Sequence, residues 1–243
     1  MNSRTILQTT KMGVSFGGVH AVKEVDFTLR EGELRCLIGP NGAGKSTFFK
    51  MLSGQVLPTR GECRYRDQVI SGLKPWAIAR LGIGIKTQVP SVFEGLSVYE
   101  NLWQAAAVKL PKAQIPQHIA QVLEQIDLVA SADTVLSEMS HGQRQWVELG
   151  MILISKPDLV LLDEPAAGMT WHEVRKTAEL IKEINLNSTV VVVEHDMEFI
   201  SMIAQKVTVF NQGEVLAEGT FREVTQNPVV KEAYLGNTEI KHA

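Results

Sequence analysis

One stretch decides the fold of this chain: Gly39-Pro40-Asn41-Gly42-Ala43-Gly44-Lys45-Ser46-Thr47. It fits the pattern G-x-x-x-x-G-K-[ST] at every fixed position. Glycines let the backbone wrap tightly, so that successive N–H groups point inward, and the helix that follows adds the positive end of its dipole. Such a phosphate loop binds a nucleotide: Lys45 can reach the β- and γ-phosphates, and the hydroxyl of Ser46 can ligate Mg²⁺.

The residues on either side of the phosphate loop match the setting in which this pattern works. Residues 33–38 form a short apolar run that predicts a strand, and residues 46–52 predict a helix that Gly54 closes. Strand, loop and helix in this order separate a functional loop from a chance match in an unrelated segment.

Composition bounds the class of protein. The chain has 243 residues, of which 44% are hydrophobic, enough for a single α/β domain with an ample core. Its net charge of −3 gives no sign of a nucleic-acid-binding surface. Cys36 and Cys63 have no metal-ligand spacing, and this cysteine usage fits a reducing compartment. No segment approaches the ~20 apolar residues of a membrane span, so we expect a protein that at most docks on a membrane protein.

Hydrophobic periodicity predicts a single domain built from three kinds of segment. Short alternating runs predict an antiparallel edge sheet; they cover 5–12, 22–30 and 62–69. Helical spacing without strands predicts a helical insertion, with helices over 98–108 and 115–128. We therefore expect one domain over 1–243, with the core and antiparallel subdomain in 1–88 and 156–243 and the helical subdomain at about 89–155.

After the helical insertion, strands and helices alternate. The predicted elements are strand 159–163, helix 171–186, strand 189–193, helix 196–204, and strands near 206–210 and 214–217. This alternation predicts an α/β fold with a mainly parallel sheet, whose ligand loops lie at the carboxyl ends of the strands.

Two of these strands end in polar residues that suit the chemistry of a nucleotide. Asp163 and Glu164 follow an apolar strand; Asp163 can hold Mg²⁺, and Glu164 can polarise an attacking water. His195 follows the next strand and can contact the γ-phosphate or that water. Gln88 follows a candidate strand at 82–87, and its amide can reach Mg²⁺ or water. For Asp163 and Glu164 the alternative is a strand that ends in solvated acids, but their position downstream of a phosphate loop favours function. For His195 the alternative is an ordinary surface or core histidine, and here the neighbouring strand tip favours function. A lone glutamine such as Gln88 would by itself indicate little.

Ser140 lies before a helix predicted over 146–154 and is a good N-cap residue. The simpler interpretation is a capped helix. The alternative is an anion site, in which the hydroxyl, the backbone N–H groups and the helix dipole face a phosphate.

Together these residues resemble the ATP-binding subunit of an ABC transporter over nearly the whole chain. The phosphate loop, Gln88, Ser140-x-Gly142-Gln143, Asp163-Glu164 and His195 occur in the order of that family. The resemblance implies a phosphate-loop NTPase core with an antiparallel β subdomain and a helical insertion, ATP and Mg²⁺ as cofactors, and ATP hydrolysis with Glu164, His195 and Gln88 as catalytic residues. It also implies that Phe16 stacks on adenine.

The family works as a head-to-tail dimer. In that arrangement each ATP lies between the phosphate loop of one subunit and the signature segment of the other, which Ser140, Gly142 and Gln143 would supply. The implied partners are transmembrane permease subunits, a second ABC ATPase subunit (sister or self) and, indirectly, an extracytoplasmic solute-binding protein. The implied place is the cytoplasmic face of the plasma membrane, as a peripheral subunit.

Two departures from the common family pattern point to a subgroup. Met139 and His141 replace a Leu and a Gly of the signature segment, and Thr170 stands where Asp is usual. The combination of Ser-His-Gly-Gln with Ala-Gly-Met-Thr resembles the ATPases of urea importers, which pair two non-identical ATPases and are relatives of the branched-chain amino acid importer ATPases. We expect a urea importer ATPase; a branched-chain amino acid importer ATPase is the alternative. Less favoured are a non-transport ABC ATPase acting on DNA or ribosomes, and a nucleotide-gated module without turnover.

Overall fold

The computed structural model describes residues 4–88 and 91–235. Its strands are β1 Thr5–Phe16, β2 Val19–Arg30, β3 Leu34–Ile38, β4 Arg60–Tyr65, β5 Gln68–Val69, β6 Ile83–Lys86, β7 Leu159–Asp163, β8 Thr189–Val193, β9 Lys206–Asn211 and β10 Glu214–Gly219. Its helices are α1 Lys45–Leu52, α2 Pro75–Arg80, α3 Val98–Ala107, α4 Ile115–Gln125, α5 His141–Leu153, α6 Trp171–Asn185, α7 Met197–Ile203, α8 Phe221–Gln226 and α9 Pro228–Leu235. Residues 1–3, 89–90 and 236–243 of the predicted domain lie outside the described residues.

The larger sheet has the strand order β10-β9-β3-β8-β7-β6. Strands β9, β3, β8, β7 and β6 are parallel to their neighbours, and β10 runs antiparallel to β9. Strands β3, β7 and β8 are buried along their whole length, which explains why they appear in the sequence as continuous apolar runs. The predicted α/β fold with a mainly parallel sheet is confirmed, and the carboxyl ends of β3, β8 and β7 lie side by side.

A second, antiparallel sheet has the order β2-β1-β4-β5. Helix α1 packs between the two sheets: Phe48 meets Phe27 of β2 edge-on, with 5.6 Å between ring centroids, and Phe210 of β9 at 5.1 Å. The predicted run 62–69 is a hairpin of β4 and β5 rather than one strand. This packing fixes the phosphate loop, because α1 is the helix that follows it.

The segment between β6 and β7 is helical, as predicted. Helices α3 and α4 end one to three residues before their predicted ends, and the buried side chains of α3, α4 and α5 join the hydrophobic core on one face of the larger sheet. Across residues 4–88 and 91–235, no helix combines the length and the hydropathy that crossing a bilayer requires.

Candidate nucleotide site

The phosphate loop wraps one side of a cleft of about 570 Å³. Residues 41–47 line this cleft together with His20, Lys23, Glu164, His195 and Gln212, among others. The structure therefore brings together the phosphate loop and the tips of β7 and β8, as the parallel sheet predicts. Lys23 and the β9–β10 turn at Gln212 were not predicted, since no local sequence pattern marks them.

Close neighbours fix the shape of the phosphate loop. Gly44 has a φ of 100°, and a Cβ added to it would lie 2.6 Å from the carbonyl oxygen of Ala21. Gly39 has a φ of 149°, and an added Cβ would collide with the carbonyl of Phe210. A side chain at either position would be strained and blocked, so the two glycines are needed for the loop to wrap.

Lys45 is held inside the loop. Its Nζ donates to the carbonyl oxygens of Gly39 at 2.6 Å and Pro40 at 3.0 Å. Burial lowers the pKa of Lys45, while the carboxylates of Glu164 and Asp163 oppose that shift. The ammonium group is therefore partly desolvated next to the cleft, where an anionic phosphate is the partner that would best stabilise its charge.

Asp163 is buried at the tip of β7. Burial, followed by the charge of Glu164, raises the pKa of Asp163 to about 6. A divalent cation would favour the ionised carboxylate, and carboxylate, hydroxyl and phosphate oxygens are the ligands that Mg²⁺ prefers. Asp163 and Ser46 therefore fit a Mg²⁺ ion bound together with a nucleotide.

Glu164 begins a sharp turn in the left-handed region, with a φ of 47°. Its Oε2 accepts a hydrogen bond from Nε2 of Gln88 at 3.1 Å, and its Oε1 lies 3.6 Å from Nδ1 of His195. Glu164, Gln88 and His195 are thus brought together as the sequence predicts. Positive φ in a non-glycine residue costs about 1–3 kcal/mol and clusters at functional sites, so it supports a functional position for Glu164.

Phe16 lies apart from this group. It ends β1, its side chain is 52% exposed, and the residues that line the cleft do not include it. Stacking of Phe16 on adenine stays a prediction. The exposed ring is accessible to a base.

The signature segment, residues 139–143, lies outside the cleft of its own chain. Helix α5 begins at His141, five residues before the predicted start, with Ser140 as its N-cap. Oγ of Ser140 accepts from the backbone N–H of Gln143 at 3.2 Å, and Oε1 of Gln143 accepts from the backbone N–H of Ser140 at 3.0 Å. The predicted cap is confirmed, and Gly142 is buried within the first turn.

The ring of His141 contacts its own chain, although the residue is exposed to solvent. Its Nε2 lies 3.1 Å from the carbonyl oxygen of Ala167 and 3.2 Å from Nε2 of Gln145. A side chain added at Gly168 would contact the same ring at 3.4 Å. Two segments that depart from the common family pattern, the signature segment and the loop after Glu164, therefore contact each other.

Three buried charged residues near the site were missed. Glu194 accepts from the backbone N–H groups of Ala166 at 3.2 Å and His195 at 3.0 Å, and burial raises its pKa. Lys86 and Glu148 form a buried ion pair between β6 and α5. Glu194 lies at the end of an apolar strand, as Asp163 does, so this pattern could have predicted it. Glu148 is an acid on the buried face of α5, and no sequence pattern marks it.

Comparison with known proteins identifies the family to which the chain belongs. A family model described as ABC transporter matches residues 22–167, and one described as branched-chain amino acid ATP-binding cassette transporter matches residues 214–239. The high-affinity branched-chain amino acid transport ATP-binding protein LivG of Escherichia coli strain K12 is 35% identical, over 96% of this chain and 99% of LivG.

BraF of Pseudomonas aeruginosa, which carries the same description as LivG, is 32% identical over 96% of this chain and 99% of its own. Among solved structures, the ADP conformation of MJ1267, an ATP-binding cassette of an ABC transporter, has a TM-score of 0.88 at 25% identity, over 96% of this chain and all of MJ1267. These similarities extend over nearly the whole length of each protein.

Proposed function

The chain belongs to the ABC transporter family as an ATP-hydrolysing subunit, and from this premise we propose that it powers an importer of branched-chain amino acids. The observation that carries this proposal is the second family match, at residues 214–239, which lies outside the general ATP-binding region. The relatives LivG and BraF support it along nearly the full chain.

Urea is the second candidate solute. The two departures that resemble urea importer ATPases, at His141 and in residues 167–170, lie in contact with each other. Against urea, the relatives described above transport branched-chain amino acids. The nucleotide site meets ATP and not the solute, so its geometry favours neither candidate.

The proposed roles follow from the geometry of the cleft. Lys45 and the N–H groups of the phosphate loop hold the phosphates. Glu164 accepts a proton from the water whose oxygen attacks the γ-phosphorus, the bond to the β-phosphate oxygen breaks, and ADP and phosphate result. His195 and Gln88, both next to Glu164, hold the water and the γ-phosphate in place. Mg²⁺, held by Ser46 and Asp163, would neutralise charge on the phosphates.

A second ATPase subunit, sister or self, completes the site in this proposal. Ser140, Gly142 and Gln143 begin a helix whose N–H groups suit an anion, yet they lie outside the cleft of their own chain. A head-to-tail dimer would bring them onto the nucleotide of the other subunit. The other proposed partners are permease subunits at the cytoplasmic face of the plasma membrane and, indirectly, a solute-binding protein.

Uptake in a strain that lacks this gene tests the proposal. Labelled leucine and labelled urea are supplied in parallel, and the strain is complemented with the wild-type gene or with Lys45→Ala as the matched inactive control. Leucine uptake restored by the wild type alone supports the proposal. Restored urea uptake with unchanged leucine uptake assigns urea instead, and no effect on either solute overturns both.

A further inference from the structure

A carboxylate lies at the start of helix α5, where the signature segment begins. Oγ of Ser140 donates to Oε1 of Glu173 at 2.8 Å. Gly142, in the first turn of α5, faces the same group, because a Cβ added to it would collide with the Glu173 carboxyl. Glu173 belongs to α6, 33 residues further along the chain, so the contact depends on how α5 and α6 pack.

Glu173 is held in this place from its other side. Its Oε2 accepts from the backbone N–H and from the hydroxyl of Thr170, both at 2.9 Å. The hydrogen bond from the Thr170 backbone, helped by those from Ser140 and from the Thr170 hydroxyl, lowers the pKa of Glu173. The carboxylate at the start of α5 is therefore an anion that accepts three hydrogen bonds, one from the N-cap residue of α5 and two from the N-cap residue of α6.

A serine hydroxyl has one proton to donate. The Ser140 hydroxyl accepts from the N–H of Gln143 and donates to Glu173, so its donor capacity is fully used. A phosphate oxygen arriving at this hydroxyl would need that same proton. It would also meet the negative charge of Glu173 at close range.

We propose that Glu173 acts as an internal anion that competes with the γ-phosphate of the partner subunit's ATP for Ser140, and so sets how much ATP is needed to close the dimer. The inference rests on the proposed function, because it takes Ser140 to meet a nucleotide across a dimer. Glu173 is a positioning residue here: it acts on the nucleotide through Ser140.

The position of Glu173 also connects this competition to the hydrolytic site. Residues 164–173 are one continuous segment with Glu164 at its start and Glu173 at its end. His141 holds the middle of the segment through the Ala167 carbonyl. The residue that competes for Ser140 and the candidate base are therefore carried by the same segment.

The chain offers a matched control for testing this. Glu223 stands at the same position of helix α8 and accepts from the backbone N–H and hydroxyl of Thr220 at 2.7 and 2.8 Å, as Glu173 does from Thr170. A glutamine also serves this third helical position of a capping box. Glu173→Gln and Glu223→Gln therefore cost similar helix stability, but only Glu173→Gln removes a charge beside the signature.

The test measures association by sedimentation in the full chain, in a Glu164→Gln background that retains ATP, as Mg-ATP is raised. Charge-assisted hydrogen bonds are about twice as strong as neutral ones, so Glu173→Gln should lower the ATP concentration for half-association roughly three- to tenfold. Glu223→Gln should leave it unchanged. In a Ser140→Ala background Glu173→Gln should lower this concentration by a smaller factor, because there is no Ser140 hydroxyl for Glu173 to occupy.

An unchanged or higher ATP requirement for Glu173→Gln, relative to Glu223→Gln, would overturn the inference and leave Glu173 as a structural cap. If Glu173→Gln lowers the ATP concentration for half-association equally with and without the Ser140 hydroxyl, competition for that hydroxyl is overturned. Failure of the Glu164→Gln reference to associate at saturating Mg-ATP, alone or with a sister ATPase, would instead overturn the proposed ATP-bridged dimer.

Discussion

Breaking the buried pair between Lys86 and Glu148 should destabilise the protein and disturb Gln88. The side chains are 0% and 4% exposed, and Nζ of Lys86 lies 3.5 Å from Oε2 of Glu148. Oε1 of Glu148 accepts from the backbone N–H of Ser91 at 2.9 Å. Lys86 precedes Gln88 by two residues, and Ser91 follows it by three. The Glu148 carboxylate on α5 therefore contacts a residue on each side of Gln88, whose side chain donates to Glu164.

The size of the effect follows from the burial of both charges. Lys86→Met leaves the Glu148 carboxylate buried without its cation, which costs about 3–5 kcal/mol, or roughly 6–20 °C in the unfolding midpoint of a chain of this length. Glu148→Gln leaves the Lys86 ammonium group without its carboxylate partner, at a similar cost. The double variant Lys86→Met/Glu148→Gln keeps an acceptor for Ser91 and no buried charge, so it should unfold within about 1 kcal/mol of wild type.

The pH dependence has a defined sign. Burial, only partly offset by Lys86, raises the pKa of Glu148 above its ordinary value. The folded state therefore binds this proton more tightly than the unfolded state, so this group contributes stability as pH falls through its folded pKa and loses it as pH rises. Lys86→Met removes the compensating cation, so the same rise in stability on acidification should become larger.

The assay is thermal and denaturant unfolding of wild type, both single variants and the double variant at pH 8, combined as a double-mutant cycle. The exposed pair Arg64–Glu62, with side chains 45% and 42% exposed, is the matched control and should cost at most about 1 kcal/mol when Arg64 is replaced by Met. If the single variants are as stable as this control, or if the double variant is as unstable as the less stable single variant, the stabilising role of the buried ion pair is refuted.

The remaining predictions concern the cleft itself. Glu164→Gln should keep ATP binding but slow hydrolysis ~10²–10⁴-fold, and turnover within about threefold of wild type would contradict its role as base. Lys45→Ala should weaken binding of a fluorescent ATP analogue, because it removes a charge held on the phosphates; an unchanged affinity would contradict the phosphate-loop interpretation. Glu194→Gln removes a buried charge whose pKa burial raises and keeps only one of the two acceptor oxygens, so unfolding should show a smaller stability gain on acidification; an unaltered pH profile would speak against this. His141→Gly should reduce the maximal ATPase rate of the assembled transporter with little effect on ATP binding, and an equal rate would show that its bond to Ala167 is dispensable.

The nucleotide cleft could be predicted from sequence because its parts are marked locally. A phosphate loop needs glycines at fixed positions, and a parallel strand buried on both faces appears as a continuous apolar run that ends at Asp163 or His195. Adjacent strand tips then follow from the topology of a parallel sheet. Gln88 lies close to Glu164 for the same reason, because β6 and β7 are neighbouring parallel strands whose carboxyl ends meet at one edge of the sheet.

Two kinds of feature escaped prediction. Strands β1 and β2 contain shifts in register, with positive φ at Lys11 and Glu24, and these interrupt the alternation that marks a strand, so the predicted runs were too short. Contacts such as Glu173 with Ser140 depend on how two helices pack, and no local pattern specifies that. Helix α8 also escaped prediction, although the sequence does contain its signal, the capping box of Thr220 and Glu223.

Thr170 explains why the contact between Glu173 and Ser140 can exist. ABC transporter ATPases usually have Asp at this position. Because both Asp and Thr are good N-cap residues, the start of α6 does not require the change to Thr. A threonine hydroxyl can donate a hydrogen bond, whereas a carboxylate can only accept one. Thr170 uses that proton to hold Oε2 of Glu173, which leaves Oε1 facing Ser140. An Asp at 170 would repel Glu173 instead, so the departure at Thr170 and the anion at the signature helix are two parts of one arrangement.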